Sequence, residues 1–239
     1  MRSFVWFCAL TASVSMSAYA LSISPTRIIV NEDSGSRVSV RLAGESGPLP
    51  IEVSVLERLP GGALVAVPES VIRAHPPQIL LNPGEARNIQ IDISSGIIAS
   101  NSRSFYLRIE ELGLKTANTG AGNGQEIVLL ATYLLPVHVL GGNAGVLTAE
   151  IALAPEDAQV VLSNAGSGPA LLSSCRLGLI LTADRVIELD GRQLAEQVGS
   201  DAILPGETVR LNLSLILSGS TVPSGSSVIG VRTDCDRFQ

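Results

Sequence analysis

The chain carries a single lysine, Lys115, and two histidines, His75 and His138, among its 239 residues. Aromatic residues make up 3% of it. These shortages exclude several classes of function. With a formal charge of -6 there is no basic surface suited to nucleic acid or to an anionic membrane. Few aromatics leave no stacking platform for sugars, so the 46% hydrophobic content resides in Val, Ile, Leu and Ala, the make-up of aliphatic sheets. Neither histidine has a Cys, Asp or Glu at metal-ligand spacing; each reads as a structural or surface residue, and no metal and no cofactor are expected. The sequence has no Gly-x-Ser-x-Gly elbow, phosphate-binding glycine loop or dinucleotide fingerprint. Adjacent carboxylates such as Glu110 and Glu111 point to opposite faces of a strand and cannot share one substrate bond, so an enzyme is not expected.

The first twenty residues read as a secretory signal peptide: Arg2, an apolar core from Phe4 to Leu10, and the small-residue ending Ala18-Tyr19-Ala20. Cleavage there removes Arg2 and takes the formal charge from -6 to -7. No later run reaches the length of a membrane span without polar interruption, so an exported protein without membrane insertion is expected. Cys8 leaves with the signal, and in an oxidising compartment the remaining Cys175 and Cys235 are expected to form one bridge. Closing that loop contributes about 4 kcal/mol in the chain-entropy model. The alternative is a pair of buried free thiols.

Taken in order, the mature chain is almost all strand. Leu21 to Val30 reads as one strand, followed by a turn; Arg37 to Leu42 alternates strictly, with Val38, Val40 and Leu42 on one face. Ile51, Val53 and Val55 mark a third strand. Pro83-Gly84 has the chemistry of a type II turn and leads into Ile89, Ile91 and Ile93. Ser104 to Glu110 alternates again, and Gly113 to Gln125 reads as a loop. Beyond the linker candidate Gly141-Gly142-Asn143-Ala144-Gly145, strands are expected at Leu147–Leu153, Gln159–Ser163, Ala170–Thr182, Arg185–Leu189, Val209–Leu217 and Val228–Thr233, with one short helix near Gln193–Val198. An internal echo supports a division at the linker. Leu81-Asn82-Pro83-Gly84-Glu85 returns as Ile203-Leu204-Pro205-Gly206-Glu207, and Gly47-Pro48 returns as Gly168-Pro169, at offsets of about 121 and 122 residues. The fold class is therefore all-β, with two sandwiches of about 100 residues each, at 21–140 and 145–239.

One stretch is out of proportion. Glu126 to Val139 has one acid at its start and no charge afterwards, so it reads as a strand apolar on both faces. It extends for about twelve residues where globular strands usually run about five or six. Left uncovered it is an aggregation hazard, which implies that part of it is meant for another protein. Arg27, between Thr26 and the apolar Ile28 and Ile29, has two readings: a charge that discourages edge pairing, or a planar fork holding a carboxylate such as another chain's C-terminus.

The sequence resembles the periplasmic chaperones of chaperone-usher pili, the PapD-like family. The resemblance is carried by Leu21 to Val30, by Pro76-Pro77-Gln78-Ile79-Leu80-Leu81-Asn82-Pro83-Gly84-Glu85, by Ser104 to Glu111, and by the long strand ending Leu135-Pro136-Val137. Residues 21–139 match in the family's order; the second half matches in outline. The resemblance implies two immunoglobulin-like sandwiches joined at an angle with a cleft between them, in the periplasm. The final strand of the first domain is lent to a pilus subunit by donor-strand complementation, and the subunit is then delivered to an outer-membrane usher. Donor-strand residues would lie within Ile127, Val128, Leu129, Leu130, Ala131, Thr132 and Tyr133, with Arg27 anchoring the subunit's C-terminal carboxylate. The family adds a lysine a few residues before the strand's closing proline. Here that place falls near Ala131, and Lys115 lies in the preceding loop, a departure that looks like the archaic branch. Which face enters the subunit is left open by periodicity, since a one-residue slip exchanges Ile127, Leu129, Ala131 and Tyr133 for Val128, Leu130, Thr132 and Leu134. Counting back from Pro136 by the family's spacing selects the second set. The rival reading is an exported two-domain immunoglobulin-like structural or surface protein, such as a pilus component, that keeps its long strand for itself.

Overall fold

A computed structural model of the chain describes residues 21–31, 36–44, 48–98, 102–113, 130–141, 145–153, 158–182, 185–218 and 227–235. The signal-peptide expectation for residues 1–20 lies outside these, as do Lys115 and most of the loop placed before the long strand.

The first half is built from β1 (Leu21–Ser24), β2 (Ile28–Val30), β3 (Arg37–Gly44), β4 (Leu49–Arg58), β5 (Leu64–Ala66), β6 (Ile72–His75), β7 (Gln78–Leu81), β8 (Ala86–Ile93), the single turn α1 (Ser95–Ile98), β9 (Arg103–Glu111) and β10 (Thr132–Val139). One sheet runs β1-β3-β8-β6; the facing sheet runs β2-β10-β9-β4-β5, with β7 also on β4. Alternation supplies the shared core. Val40 and Leu42 of β3, Ile89 and Ile91 of β8, Ile51 and Val53 of β4, Phe105, Leu107 and Ile109 of β9, and Leu135 and Val137 of β10 are all buried in one cluster.

The expectation of one strand from Leu21 to Val30 is corrected. β1 pairs antiparallel with β3 in one sheet, whereas β2 pairs parallel with β10 in the other. Pro25 has no N–H to donate, so the ladder ends at Ser24 and the chain crosses between sheets through Pro25-Thr26-Arg27. The long strand is also revised: among the described residues its ladder begins at Thr132, with Leu130 and Ala131 just before it.

The second half contains β11 (Leu147–Leu153), β12 (Ala158–Asn164), β13 (Ala170–Leu171), β14 (Cys175–Leu181), β15 (Val186–Leu189), α2 (Gly191–Val198), β16 (Ala202–Ile203), β17 (Thr208–Asn212), α3 (Leu213–Ser218) and β18 (Val228–Cys235). A second hydrophobic cluster, including Leu147, Val160, Leu162, Leu172, Leu177, Leu179, Leu194 and Leu211, fills it. Cys175 and Cys235 face each other on paired β14 and β18, with their sulfurs bonded at 2.13 Å. The helix expected near Gln193–Val198 is present and slightly longer. Asp190 and Gln193 form a capping box at its start, and Gly199 closes it at φ 72°.

Two strand expectations fail here. Val209 to Leu217 is strand only to Asn212, where the Asn212 side chain accepts from Ser214 N–H at 2.8 Å and α3 begins. Helical spacing buries Leu213 and Ile216 and leaves Leu215 exposed, whereas strand alternation would have put Leu213 and Leu215 on one face. Ala170 to Thr182 is broken by a tight turn at Leu172–Ser174, closed by Ser174 Oγ donating to Leu171 O at 2.8 Å.

The internal echo has a structural counterpart. Gly84 and Gly206 take φ 73° and 72° at matching turns. Gly84 N donates to Gly44 O at 2.9 Å and Gly206 N to Asn164 O at 3.0 Å, and the following glutamate returns the bond through its carbonyl in each case. The same turn ties the same pair of strands in both halves.

Candidate functional site

The site grows out of β10. On one side it is fully paired with β9, from Thr132 opposite Glu110 to Val139 opposite Arg103. On the other side β2 covers only Val137, His138 and Val139. Among the described residues no strand pairs with that edge from Thr132 to Pro136.

Tyr133 shares its face of β10 with the buried Leu135 and Val137, and a buried carboxylate ties it down there. Glu111 is buried at the end of β9; its Oε1 accepts from the Tyr133 hydroxyl at 3.4 Å and its Oε2 from Ala131 N–H at 3.3 Å. Glu111 N–H in turn donates to Ala131 O at 3.0 Å. Burial, then the Glu111 charge and this hydrogen bond, push the Tyr133 phenol above its ordinary range. With Tyr133 packed against the core, Leu130, Thr132 and Leu134 point outward: Leu130 is 55% and Leu134 45% exposed. These belong to the second of the two alternating sets. Ile127, Val128 and Leu129 lie outside the described residues.

At the end of the open edge lies a pocket of about 450 Å³ lined by Pro25, Thr26, Arg27, Pro136 and Asp201. The crossing between sheets delivers Arg27 here, half-buried, beside the closing proline of β10. Asp201 comes from the second half, just before β16, where Leu172 N–H donates to its carbonyl at 2.8 Å. Its Oδ2 lies 3.0 Å from Nε2 of His138, whose Nδ1 lies 2.9 Å from Ser104 Oγ. An ionised aspartate only accepts, so Nε2–H donates to it and the Ser104 hydroxyl takes whichever role Nδ1 leaves. Burial alone raises the Asp201 carboxyl. The hydrogen bond and charge of His138, and then the charge of Arg27, outweigh it and hold that carboxyl below the usual aspartate range. Among the described residues Arg27 makes no ion pair within 4.0 Å.

A second link joins the halves away from the pocket. Arg58, at the end of β4, donates through Nη2 to both oxygens of Glu207 at 2.9 and 3.0 Å and through Nη1 to Ala202 O at 3.2 Å. Glu207 also accepts from Leu204 N–H at 2.8 Å and Gly61 N–H at 3.3 Å. Both side chains are 9% exposed. With His138–Asp201, this pair fixes where Asp201 stands relative to Arg27. The structure thus brings together Arg27, the β10 edge and Asp201. Only the first two were legible as site residues; the signal for the third, an isolated polar residue in an apolar strand at His138, points to a buried partner without naming it.

No protein-family model and no curated protein sequence matches the chain. Solved structures do. The crystal structure of the YadV chaperone superimposes with a TM-score of 0.53 at 13% identity, covering 89% of this chain and 90% of that one. A structure of the CsuC–CsuE chaperone–tip adhesion subunit pre-assembly complex, from archaic chaperone-usher Csu pili of Acinetobacter baumannii, gives 0.52 at 13%, covering 86% and 90%. The Salmonella enterica SafA pilin in complex with the SafB chaperone gives 0.53 at 10%, covering 83% and 86%. The chain therefore has the two-domain all-β fold found in these chaperone structures.

Proposed function

We propose that this protein is a periplasmic chaperone of the chaperone-usher pilus pathway. It binds pilus subunits and lends them a strand, then delivers them to an outer-membrane usher. Residues 1–20 direct export, 21–140 form the immunoglobulin-like domain that carries the donor strand, and 145–239 form the second. The single observation that carries this reading is the open edge of β10, with its apolar outward residues, ending in the Arg27 pocket.

A subunit whose sandwich lacks its last strand gains main-chain hydrogen bonds along that edge, while Leu130, Thr132 and Leu134, with Val128 ahead of them, fill its exposed groove. Each aliphatic side chain buried in full contributes roughly 1.5 to 3 kcal/mol. Arg27 takes the subunit's terminal carboxylate as a bidentate pair and so sets the register in which donor residues meet their pockets. No chemical step is involved; burial and hydrogen bonding supply the free energy.

The test is periplasmic co-expression with a pilus subunit. The subunit accumulates with the wild-type protein and is degraded with Leu134→Asp, while Arg27→Ala lowers recovery. Full protection of the subunit by Leu134→Asp, with that variant folded as judged by its melting curve, would refute the strand's role.

A further inference from the structure

The Arg27 pocket holds two opposite charges that do not touch. Among its described lining residues Arg27 is the only cation and Asp201 the only anion, and no ion pair within 4.0 Å joins them. Asp201 is not spare charge left in solvent: its side chain is 19% exposed. One oxygen is engaged by His138, and the residue lines the same pocket as Arg27. A carboxylate alone would thus be attracted by one wall and repelled by the other.

From this we infer that the pocket is a two-point reader: it takes the terminal carboxylate of a bound chain on Arg27 and a cationic N–H donor from that chain's last residues on Asp201. The inference rests on the carboxylate-anchor reading of Arg27 and adds a specificity-determining residue to it. His138 donates to Oδ2 and the backbone N–H of Asp201 itself also bonds the carboxylate, and since an ionised aspartate offers about four lone-pair sites, acceptor capacity remains for a donor from the bound chain. An ammonium or guanidinium there offsets the repulsion between Asp201 and the bound carboxylate. Chains with lysine or arginine at or beside the C-terminus are preferred over chains with an apolar residue there. The two links between the halves, His138–Asp201 and Arg58–Glu207, hold the distance between the two points, so the reader is preformed.

The probes are three single-residue mimics of a chain end: N-acetyl-lysine, its uncharged analogue N-acetyl-norleucine, which lacks the terminal ammonium, and N-acetyl-lysine amide. Each is titrated into the isotopically labelled mature protein, and affinity is read from shifts of the His138 ring resonances. N-acetyl-lysine is expected to bind about fivefold more tightly than N-acetyl-norleucine, the effect of an ion pair of about 1 kcal/mol. Asp201→Asn, which retains an acceptor for His138, is expected to abolish that preference and to bind the norleucine probe more tightly than wild type does. Equal binding of the lysine and norleucine probes by wild type, or a preference that survives in Asp201→Asn, would overturn the inference and leave the Arg27 anchor standing. The anchor itself fails if the acid and amide forms of the lysine probe bind alike or if Arg27→Ala leaves binding of the norleucine probe unchanged.

Discussion

Replacing Leu130 and Leu134 together by alanine measures how much of the binding free energy comes from the outward face of the proposed donor strand. Leu130 is 55% and Leu134 45% exposed in the free protein. The part of each side chain already covered stays covered in a complex and cancels, so only the exposed fraction counts. Scaled to the roughly 1.5–3 kcal/mol of a fully buried aliphatic side chain, Leu134 contributes about 0.7–1.4 kcal/mol and Leu130 slightly more. The pair therefore supplies about 1.5–3 kcal/mol, and the double variant is expected to weaken the complex roughly 10- to 150-fold. The assay is the dissociation constant of a purified pilus subunit lacking its final strand, by surface-immobilised binding, with a melting curve of the free variant as control. A loss smaller than about threefold with a folded variant would show that these side chains do not enter a client groove.

Three further outcomes follow from the links between and within the halves. Arg58→Ala leaves Glu207 as an uncompensated buried charge and is expected to destabilise the protein by about 3–5 kcal/mol. The double variant Arg58→Met/Glu207→Leu is expected to cost less than either single change in urea unfolding. Because the Asp201 carboxyl is held below its usual 3.8, its ionised form stabilises the folded state above that pH, and the contribution is lost as pH falls through the lower folded value. Asp201→Asn is therefore less stable than wild type at neutral pH, and the gap in urea midpoint closes below pH 3.8. Cys175→Ser with Cys235→Ser removes a cross-link of sequence separation 60 and is expected to cost the second half about 4 kcal/mol, leaving the core around Phe105 and Ile91 unchanged in hydrogen exchange.

Local chemistry made much of this molecule readable. Alternation in Arg37 to Leu42 and Ser104 to Glu110 carried the sheets of the first core, and Pro-Gly followed by glutamate marked the two equivalent turns that Gly84 and Gly206 form with positive φ. The redox argument paired Cys175 with Cys235, the pairing the structure has. Short apolar runs misled where two periods compete: Leu213 to Leu217 alternates like a strand, yet Asn212 caps it into a helix.

What the residue order determined by itself is the all-β class, the repeat of one turn in two halves, and an uncharged apolar run ending at Val139, of which the structure makes a strand from Thr132. Tertiary structure decided how these meet. A period of two separates faces but names no neighbour, so only folding placed β2 beside the last three residues of β10, the rest of that edge having no partner strand among the described residues. Periodicity left the outward face open; burial of Leu135 and Val137 turned Leu130 and Leu134 outward, and only folding brought Asp201 into one pocket with Arg27. Such contacts join residues far apart in sequence, and their partners are chosen by packing and by the need to satisfy buried charge, neither of which is written in local pattern.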